Sequence, residues 1–459
     1  MSVTISPELL ARFDVPGPRY TSYPTADRFV EAFGHADYVQ ALEERRIGSL
    51  ALPLSVYVHI PFFESLCYYC ACNKIVTKHH ERARPYLHAL AREAQLVADH
   101  LGEGAVVSQL HLGGGSPTFL SDIELRSLMD MLRHHFELVP GGEYAIEVDP
   151  RTVDAGRLEA LATLGFNRLS FGVQDFDPRV QRAVHRVQPF ESVQALVASA
   201  RSVGFEAINL DLIYGLPMQT LPSMTQTLER VLTIRPVRIA LYGYAHLPER
   251  FKPQRRIHAA ELPSAGEKVA MLSLALNSLQ AAGYEYIGMD HFALPDDALA
   301  VARRQGRLHR NFQGYSTQPE CDTIGLGVSA IGRVGSVYTQ NAKTLSEYTD
   351  ALDAGHLPVV RGFQLSRDDV LRRSVIMALM CQGEVSFESM ELAHLVSFEN
   401  YFAGELDALR PLQADGLVEV ADRSIRVTTT GWFFVRAIAM VFDAYLKRDM
   451  DRRRFSKVL

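Results

Sequence analysis

Val56-Tyr57-Val58-His59-Ile60 alternates in character, is rich in β-formers and stops at Pro61, which cannot donate to a strand ladder. Residues 106–112 read as a second strand, ending in Gly113-Gly114-Gly115-Ser116-Pro117-Thr118. A helix then opens at Ser121 with Glu124 three residues on, the spacing of a capping box. Leu125, Leu128, Met129, Leu132 and Phe136 form one apolar stripe along it. The unit repeats. Strands are predicted at 144–148, 168–171, 207–213, 238–242 and 284–288, separated by helices that end at Gly165, run from Glu191 to near Gly204, lie near 221–232 and start at Ser264. Six or seven strand–helix units need crossover connections, so the sheet is expected to be parallel. A full or partial α/β barrel suits this better than a doubly wound sheet, because no early G-x-G-x-x-G turn with a downstream acid appears.

The flanks have a different grammar. Residues 1–50 are expected to be an amino-terminal extended segment. Within it Asp14-Val15-Pro16-Gly17-Pro18-Arg19-Tyr20-Thr21-Ser22-Tyr23-Pro24 is proline- and aromatic-rich and is read as laid across a surface. The barrel is expected over 51–355. From 356 to 459 helical stripes lead to Leu417-Val418-Glu419-Val420, the turn Ala421-Asp422-Arg423-Ser424, Ile425-Arg426-Val427 and a last helix from Gly431. Helices followed by a small hairpin resemble a winged-helix module, read here as a lid or scaffold.

Charge narrows the functions open to the chain. Asp and Glu outnumber Lys and Arg by 53 to 47, a net charge of −6, which argues against nucleic acid as a partner. Arg452-Arg453-Arg454 stands beside Asp449 and Asp451 and reads as a solvated end. The first residues, MSVTISPELLARFD, lack a basic region followed by an apolar core, and no run of 18 uninterrupted apolar residues follows. A cytoplasmic location without membrane contact is therefore expected. Three of the five cysteines, Cys67, Cys70 and Cys72, crowd the loop after the first strand, a pattern of metal or redox chemistry rather than of a disulfide framework. Cys321 and Cys381 stand alone and are read as small buried residues. Polar residues recur at the predicted strand ends: Glu147, Asp149, Gln174, Asp175, Asp211, Tyr244 and His246. Together they define one rim, where α/β barrels place their sites.

HIPFFESLCYYCACNK, GGGSPT, IEVDP, GFNRLSFGVQDF, INLDLIYGLP, YAHLP, IGMDHF, HRNFQGYST and GLGVSAI occur in this order. With them the chain resembles the oxygen-independent coproporphyrinogen III oxidase (dehydrogenase) family of radical S-adenosylmethionine enzymes, from PGPRYTSYPT to the carboxyl-terminal module. The resemblance implies a [4Fe–4S] cluster, two molecules of S-adenosylmethionine, and coproporphyrinogen III as substrate. Two of its propionates would be oxidatively decarboxylated to vinyl groups, giving protoporphyrinogen IX. An adenosyl radical would remove a β-carbon hydrogen, a step beyond any acid or base at neutral pH. An electron donor, an unidentified final acceptor and a monomeric state are implied as well.

In that family the residue after His-Ile-Pro-Phe is the first cluster cysteine; here it is Phe63. Cys67 and Cys70 match the remaining ligands, and Cys72 matches an additional cysteine that would have to complete the set. The expectation is impaired turnover, with a cluster-deficient binding protein for a tetrapyrrole or S-adenosylmethionine as the alternative. A winged-helix regulator is a third reading. Tyr57 and Glu147 are implied as the catalytic pair, Tyr57 packing near the first cofactor and Glu147 contacting its ribose or amino group. Gly114, Gly115 and Ser116 match cofactor-binding positions, and Ile331 an apolar contact to the first adenine. Tyr69, Gln174, Arg186, Asp211 and Ala245 match contacts to the second cofactor. Four substrate carboxylates call for arginines, for which Arg19 and Arg310 are candidates. Tyr20 and Tyr23 either close over the substrate or simply pack, and His59 by default is a satisfied core histidine.

Overall fold

The computed structural model describes residues 9, 12–13, 17–47, 52–318 and 321–448. The amino-terminal stretch that was read for a targeting signal, the Asp14-Val15-Pro16 start of the extended segment and the Arg452-Arg453-Arg454 tail lie outside the described residues. The chain forms two compact units. One holds the described residues within Phe29–Ser264 and Glu320–Gln364, the other those within Met1–Arg28, Ala265–Pro319 and Leu365–Leu459. Residues 265–319, expected inside the barrel segment, thus group with the two chain ends.

The first unit is built on ten strands: β1 (Leu54–Ile60), β2 (Val106–Gly114), β3 (Glu137–Val148), β4 (Arg168–Gln174), β5 (Ala207–Tyr214), β6 (Arg238–Gly243), β7 (Asp322–Leu326), β8 (Ile331–Val334), β9 (Val337–Asn341) and β10 (Val359–Gln364). Their order is β10-β9-β8-β7-β1-β2-β3-β4-β5-β6. From β7 through β1 to β6 every pair is parallel, while β8, β9 and β10 are added antiparallel. Within this unit the order has two ends, which makes it the partial form of the barrel.

Helices α1 (Ala83–Leu101), α2 (Asp122–His135), α3 (Ala155–Thr163), α4 (Phe190–Ser202) and α5 (Leu221–Ile234) make the five crossovers between β1 and β6. Ser121 caps α2 in a complete capping box with Glu124, the expected start. Gly165 stands just beyond α3 with φ 97°, a backbone only glycine adopts cheaply. Alternation decides which side chains face the helices: Leu169, Phe171 and Val173 of β4 and Leu210 and Leu212 of β5 are buried. Each such side chain contributes roughly 1.5–3 kcal/mol. The residues between them, Ser170, Asn209 and Asp211, point to the opposite face and become available for chemistry.

A polar hub behind the sheet ties the ends of β1 and β7 together. The Tyr86 hydroxyl donates to the His59 carbonyl at 2.5 Å and accepts the Val328 N–H at 3.2 Å. On the same helix, Glu93 accepts from the Gly327 N–H (2.7 Å), from Asn341 Nδ2 (2.5 Å) and from the Tyr348 hydroxyl. Burial pushes Glu93 up to about 7 although these donors pull the other way.

In the second unit the 284–288 prediction needs correcting. Glu285–Gly288 pairs antiparallel with His291–Ala293 instead of continuing a parallel series. Met289 and Asp290 turn the hairpin with φ of 42° and 74°, the two left-handed residues of a tight right-twisted turn. Tyr20 and Tyr23 are fully buried. The Tyr20 hydroxyl donates to Asp443 at 3.0 Å, and Tyr23 Oη accepts from the Ala444 N–H at 3.1 Å. Packing, of the two readings open for these tyrosines, is the one the structure adopts. The expected carboxyl-terminal hairpin is present: Val418–Ala421 pairs with Ser424–Val427, and Glu384–Ser386 adds a third strand. Its turn uses Asp422 and Arg423, both left-handed.

Candidate functional site

The carboxyl ends of β1, β2 and β3 converge on Glu147. His111 Nε2 meets its Oε1 at 3.1 Å and the Gly114 N–H donates to its Oε2 at 3.2 Å. Burial raises the Glu147 carboxyl, but the hydrogen bond and charge of His111, with the Gly114 N–H, outweigh it and hold the group below its ordinary value. Glu147 is therefore an anion in place at neutral pH, half-open and ready to accept from a ligand's hydroxyl or ammonium group.

Tyr57 stacks on His111 with centroids 5.8 Å apart, and its hydroxyl meets His59 Nδ1 at 3.1 Å. Burial and then the Glu147 charge push the Tyr57 phenol well up, so it stays protonated. His59 is held at its other nitrogen by the Asn73 carbonyl at 3.3 Å. It is a satisfied buried histidine and also the wall against which Gly114 lies. A Cβ on Gly114, whose φ is 102°, would come within 2.4 Å of the His59 ring. One on Gly113 would meet Glu147 Oε1 at 2.7 Å. The bare glycines expected to admit a ligand thus first admit the protein's own His59 and Glu147. Ser116 is buried, its hydroxyl 3.0 Å from that of Thr118.

Beyond β3 the rim continues through paired charges. Asp149 accepts from Arg151 at 2.7 Å and from Arg186 at 3.3 Å. Burial works to raise Asp149, and the two arginines hold it below the usual range. Arg186 is itself buried, donates to the Gly172 carbonyl from Nε at 3.0 Å, and points Nη1 at Cys67 Sγ, 3.4 Å away. Arg151 reaches the same sulfur at 3.6 Å. Asp211 accepts from Ser170 at 2.9 Å and from Asn209 at 2.8 Å. Burial, then the Glu147 charge, pushes it up to about 6. Gln174 has a left-handed backbone, φ 70°, and a buried Oε1 without a partner among the described residues. A strained residue presenting an orphaned acceptor marks a place where a donor is missing.

Gln254 Nε2 bridges the carbonyls of Tyr69 (3.1 Å) and Ala245 (3.2 Å), fixing the cysteine loop to the end of β6. Ile331 is half-buried at the start of β8, against the bare Cα of Gly325. Asp175, read as part of the rim, is buried and tied to Gln219 and Thr227, and so is structural. His111 and Arg151 are functional-looking residues that the sequence reading passed over. His111 had a signal, a polar residue between Leu110 and Leu112 on an alternating strand.

The loop after β1 is closed by backbone. Phe62 and Phe63 pair in parallel with Ile75 and Val76, and the Phe63 carbonyl accepts the Thr77 N–H at 2.9 Å. Lys74 Nζ caps the carbonyls of Cys70 (3.1 Å) and Cys72 (3.0 Å). Cys67 and Cys70 are buried and Cys72 is exposed. A hydrogen bond from Cys72 and the charge of Lys74 push the Cys70 thiol down to about 6 against its burial. Among the described residues no group of three or more His, Cys, Asp or Glu side chains is placed to hold a metal ion. Phe63 contributes a phenyl ring, without a donor atom, to a pocket of about 160 Å3 that Ser116, Phe119, Asp149 and Arg151 also line. The donors present therefore do not fit a three-thiolate iron–sulfur cluster. The Glu147 rim, with the orphaned acceptor of Gln174, does fit a nucleoside-bearing cofactor.

Comparison with known proteins decides the kinship. Residues 59–231 match the Radical SAM superfamily and residues 365–434 the HemN C-terminal domain. The chain is 50% identical over 454 residues to the oxygen-independent coproporphyrinogen III oxidase of Pseudomonas aeruginosa, covering 98% of each chain. The chain belongs to the oxygen-independent coproporphyrinogen III oxidase family. The Escherichia coli family enzyme is 47% identical over 454 residues, again covering 98% of both chains. A solved structure described as coproporphyrinogen III oxidase (HemN) from Escherichia coli, a radical SAM enzyme, superposes with a TM-score of 0.92 at 45% identity, over 97% of this chain and 100% of that one. The α/β fold with a mainly parallel sheet is thus the family's radical SAM fold, and family membership brings a [4Fe–4S] cluster and S-adenosylmethionine as the expected cofactors. Among the described residues no helix is long and apolar enough to cross a membrane.

Proposed function

We propose that this chain is built for the oxygen-independent conversion of coproporphyrinogen III to protoporphyrinogen IX in the cytoplasm, and that Phe63 leaves it impaired. Each of two propionates would become a vinyl group, releasing carbon dioxide, one proton and two electrons. The observation that carries the reading is the Glu147 node, where His111 and the Gly114 N–H hold a carboxylate ionised at the ends of three adjacent strands. In this reading Glu147 orients the first S-adenosylmethionine beside Tyr57, Gly114, Gly115 and Ser116, with Ile331 against its adenine. Gln174, Asp211, Tyr69, Ala245 and Arg186 line the place of a second molecule. An electron donor and a final acceptor are required, and the monomer is the working form.

Bound to such a protein, a [4Fe–4S] cluster would supply the electron that starts the chemistry. Here the residue standing where the resemblance places its first thiolate is Phe63, and Cys72, the substitute, is exposed and turned to Cys70. A second reading follows from that one observation: a cluster-deficient relative that binds a tetrapyrrole or S-adenosylmethionine without turnover. Anaerobic iron–sulfur reconstitution of the protein beside Phe63→Cys separates them. Iron and sulfide near four per chain, and product formation, are expected in the variant alone. Equal iron content and turnover in both proteins would overturn the impairment. Porphyrin binding with no turnover in either would favour the second reading.

A further inference from the structure

Arg310 lies in the second unit, in the short hairpin of His309–Asn311 and Gly314–Ser316, directly across from Tyr315. It is 6% exposed, and its Nε and Nη1 have no acceptor among the described residues. Its guanidinium carbon sits 4.7 Å from the centre of the Tyr315 ring. Tyr315 is pinned in turn, donating its hydroxyl to the Met380 carbonyl at 2.9 Å. A cation–π contact offsets only a small part of what removing an unpaired charge from water costs. Among the described residues, therefore, no acceptor meets Nε or Nη1 of this buried cation.

The surroundings add to this. His291 packs edge-on against Tyr315 at 5.6 Å, with its Nδ1 on the Met289 carbonyl at 2.8 Å. Burial first, then the charges of Arg310 and Arg19, keep His291 neutral, pushed down to about 4. Arg19 is ion-paired with Asp290 in the left-handed turn beside it. The cluster therefore presents two guanidinium groups, one of them already neutralised, against the aromatic walls of Tyr315 and His291.

We infer that Arg310 is a specificity-determining residue that receives a propionate carboxylate of the tetrapyrrole, Tyr315 and His291 covering the apolar stem of that side chain. A carboxylate is planar and singly charged, matches one guanidinium bidentately, and is the group the proposed substrate carries four times. The inference rests on the substrate reading given above.

The test compares the full-length protein with Arg310→Gln and Arg310→Lys, titrated with coproporphyrin III, with its tetramethyl ester and with S-adenosylmethionine, following porphyrin fluorescence or heat. Arg310→Gln is expected to weaken coproporphyrin III binding about ten- to hundred-fold. Arg310→Lys should recover part of the loss. The ester should bind the unaltered protein and Arg310→Gln equally, and S-adenosylmethionine affinity should not move. Because the substitution removes an unpaired buried charge, the ligand-free Arg310→Gln protein should melt no lower than the parent. Unchanged coproporphyrin III affinity, an effect on S-adenosylmethionine instead, or a ligand-free melting point lower by several degrees would each overturn the inference. Failure of the unaltered protein to bind coproporphyrin III at all would instead overturn the substrate reading beneath it.

Discussion

The strand-end rim around Glu147 and the cysteine loop that follows β1 are neighbours in one unit, yet they are assembled on different principles. At the rim every charge is answered by the protein: Glu147 by His111 and the Gly114 N–H, Asp149 by Arg151 and Arg186. The side chains stand on strands whose register is locked by alternation. In the loop the backbone is just as well held, but the chemistry-bearing atoms are divided, two thiols buried and one exposed, and Phe63 supplies only a phenyl ring. The lesson is that rigid strands can pair a site's charges before its ligand arrives, leaving single acceptors such as Gln174 Oε1 for the ligand to meet, whereas a loop site depends on each donor individually.

Substitutions sharpen that contrast. Phe63→Cys should have the largest effect, raising iron retention by more than the roughly 10–100-fold that outer-shell partners of a metal are worth, as read by iron analysis after desalting. Glu147→Gln removes the charge that His111 and Gly114 address. S-adenosylmethionine affinity should fall about ten- to hundred-fold by calorimetry, with cysteine-loop properties untouched. Acid should weaken binding of the second S-adenosylmethionine molecule through Asp211. Burial pushes its folded carboxyl up to about 6, so affinity should drop up to about ten-fold per pH unit below that value, and Asp211→Asn should flatten the profile. The sign for stability is opposite. Burying this raised acid costs stability above pH 6, and the cost fades as the pH falls from there toward the ordinary carboxylate range. Gly114→Ala, strained at φ 102° and pressed on His59, should cost about 1–3 kcal/mol in denaturant unfolding. Cys72→Ser in the Phe63→Cys background should have the smallest effect, leaving iron content unchanged.

Much of the first unit could be read from period alone, because β1 to β6 each show their alternation or apolar run and α2 announces itself through Ser121 and Glu124. β3 was expected only over 144–148, yet the strand starts at Glu137 and passes through Pro140-Gly141-Gly142, with an irregular register against β2. The hairpin at Met289-Asp290 resembled one more parallel strand because its left-handed turn is made by residues that do not advertise it. Spacing identified the candidate rim, including Glu147, Gln174 and Asp211. It could not identify the Glu93 hub or the clamp of Arg151 and Arg186 on Cys67, since their partners lie far apart in sequence and only tertiary packing joins them. Arg310 was named for its charge; that its Nε and Nη1 are buried without an acceptor among the described residues is a property of the fold.

The loop from Pro61 to Thr77 is tied down by its own peptide groups, Ile75 to Pro61 at 2.7 Å and Thr77 to Phe63 at 2.9 Å, with Gly115 to Ile60 at 2.7 Å and Ser116 to Phe62 at 2.9 Å anchoring its base. None of these bonds calls for iron. Selection acting through the cell's proteolytic surveillance, which recognises unfolded segments, would therefore be blind to the residue at position 63. A chain that had lost its inorganic centre would persist at the abundance of an active one and be distinguished only by the metabolite it fails to make.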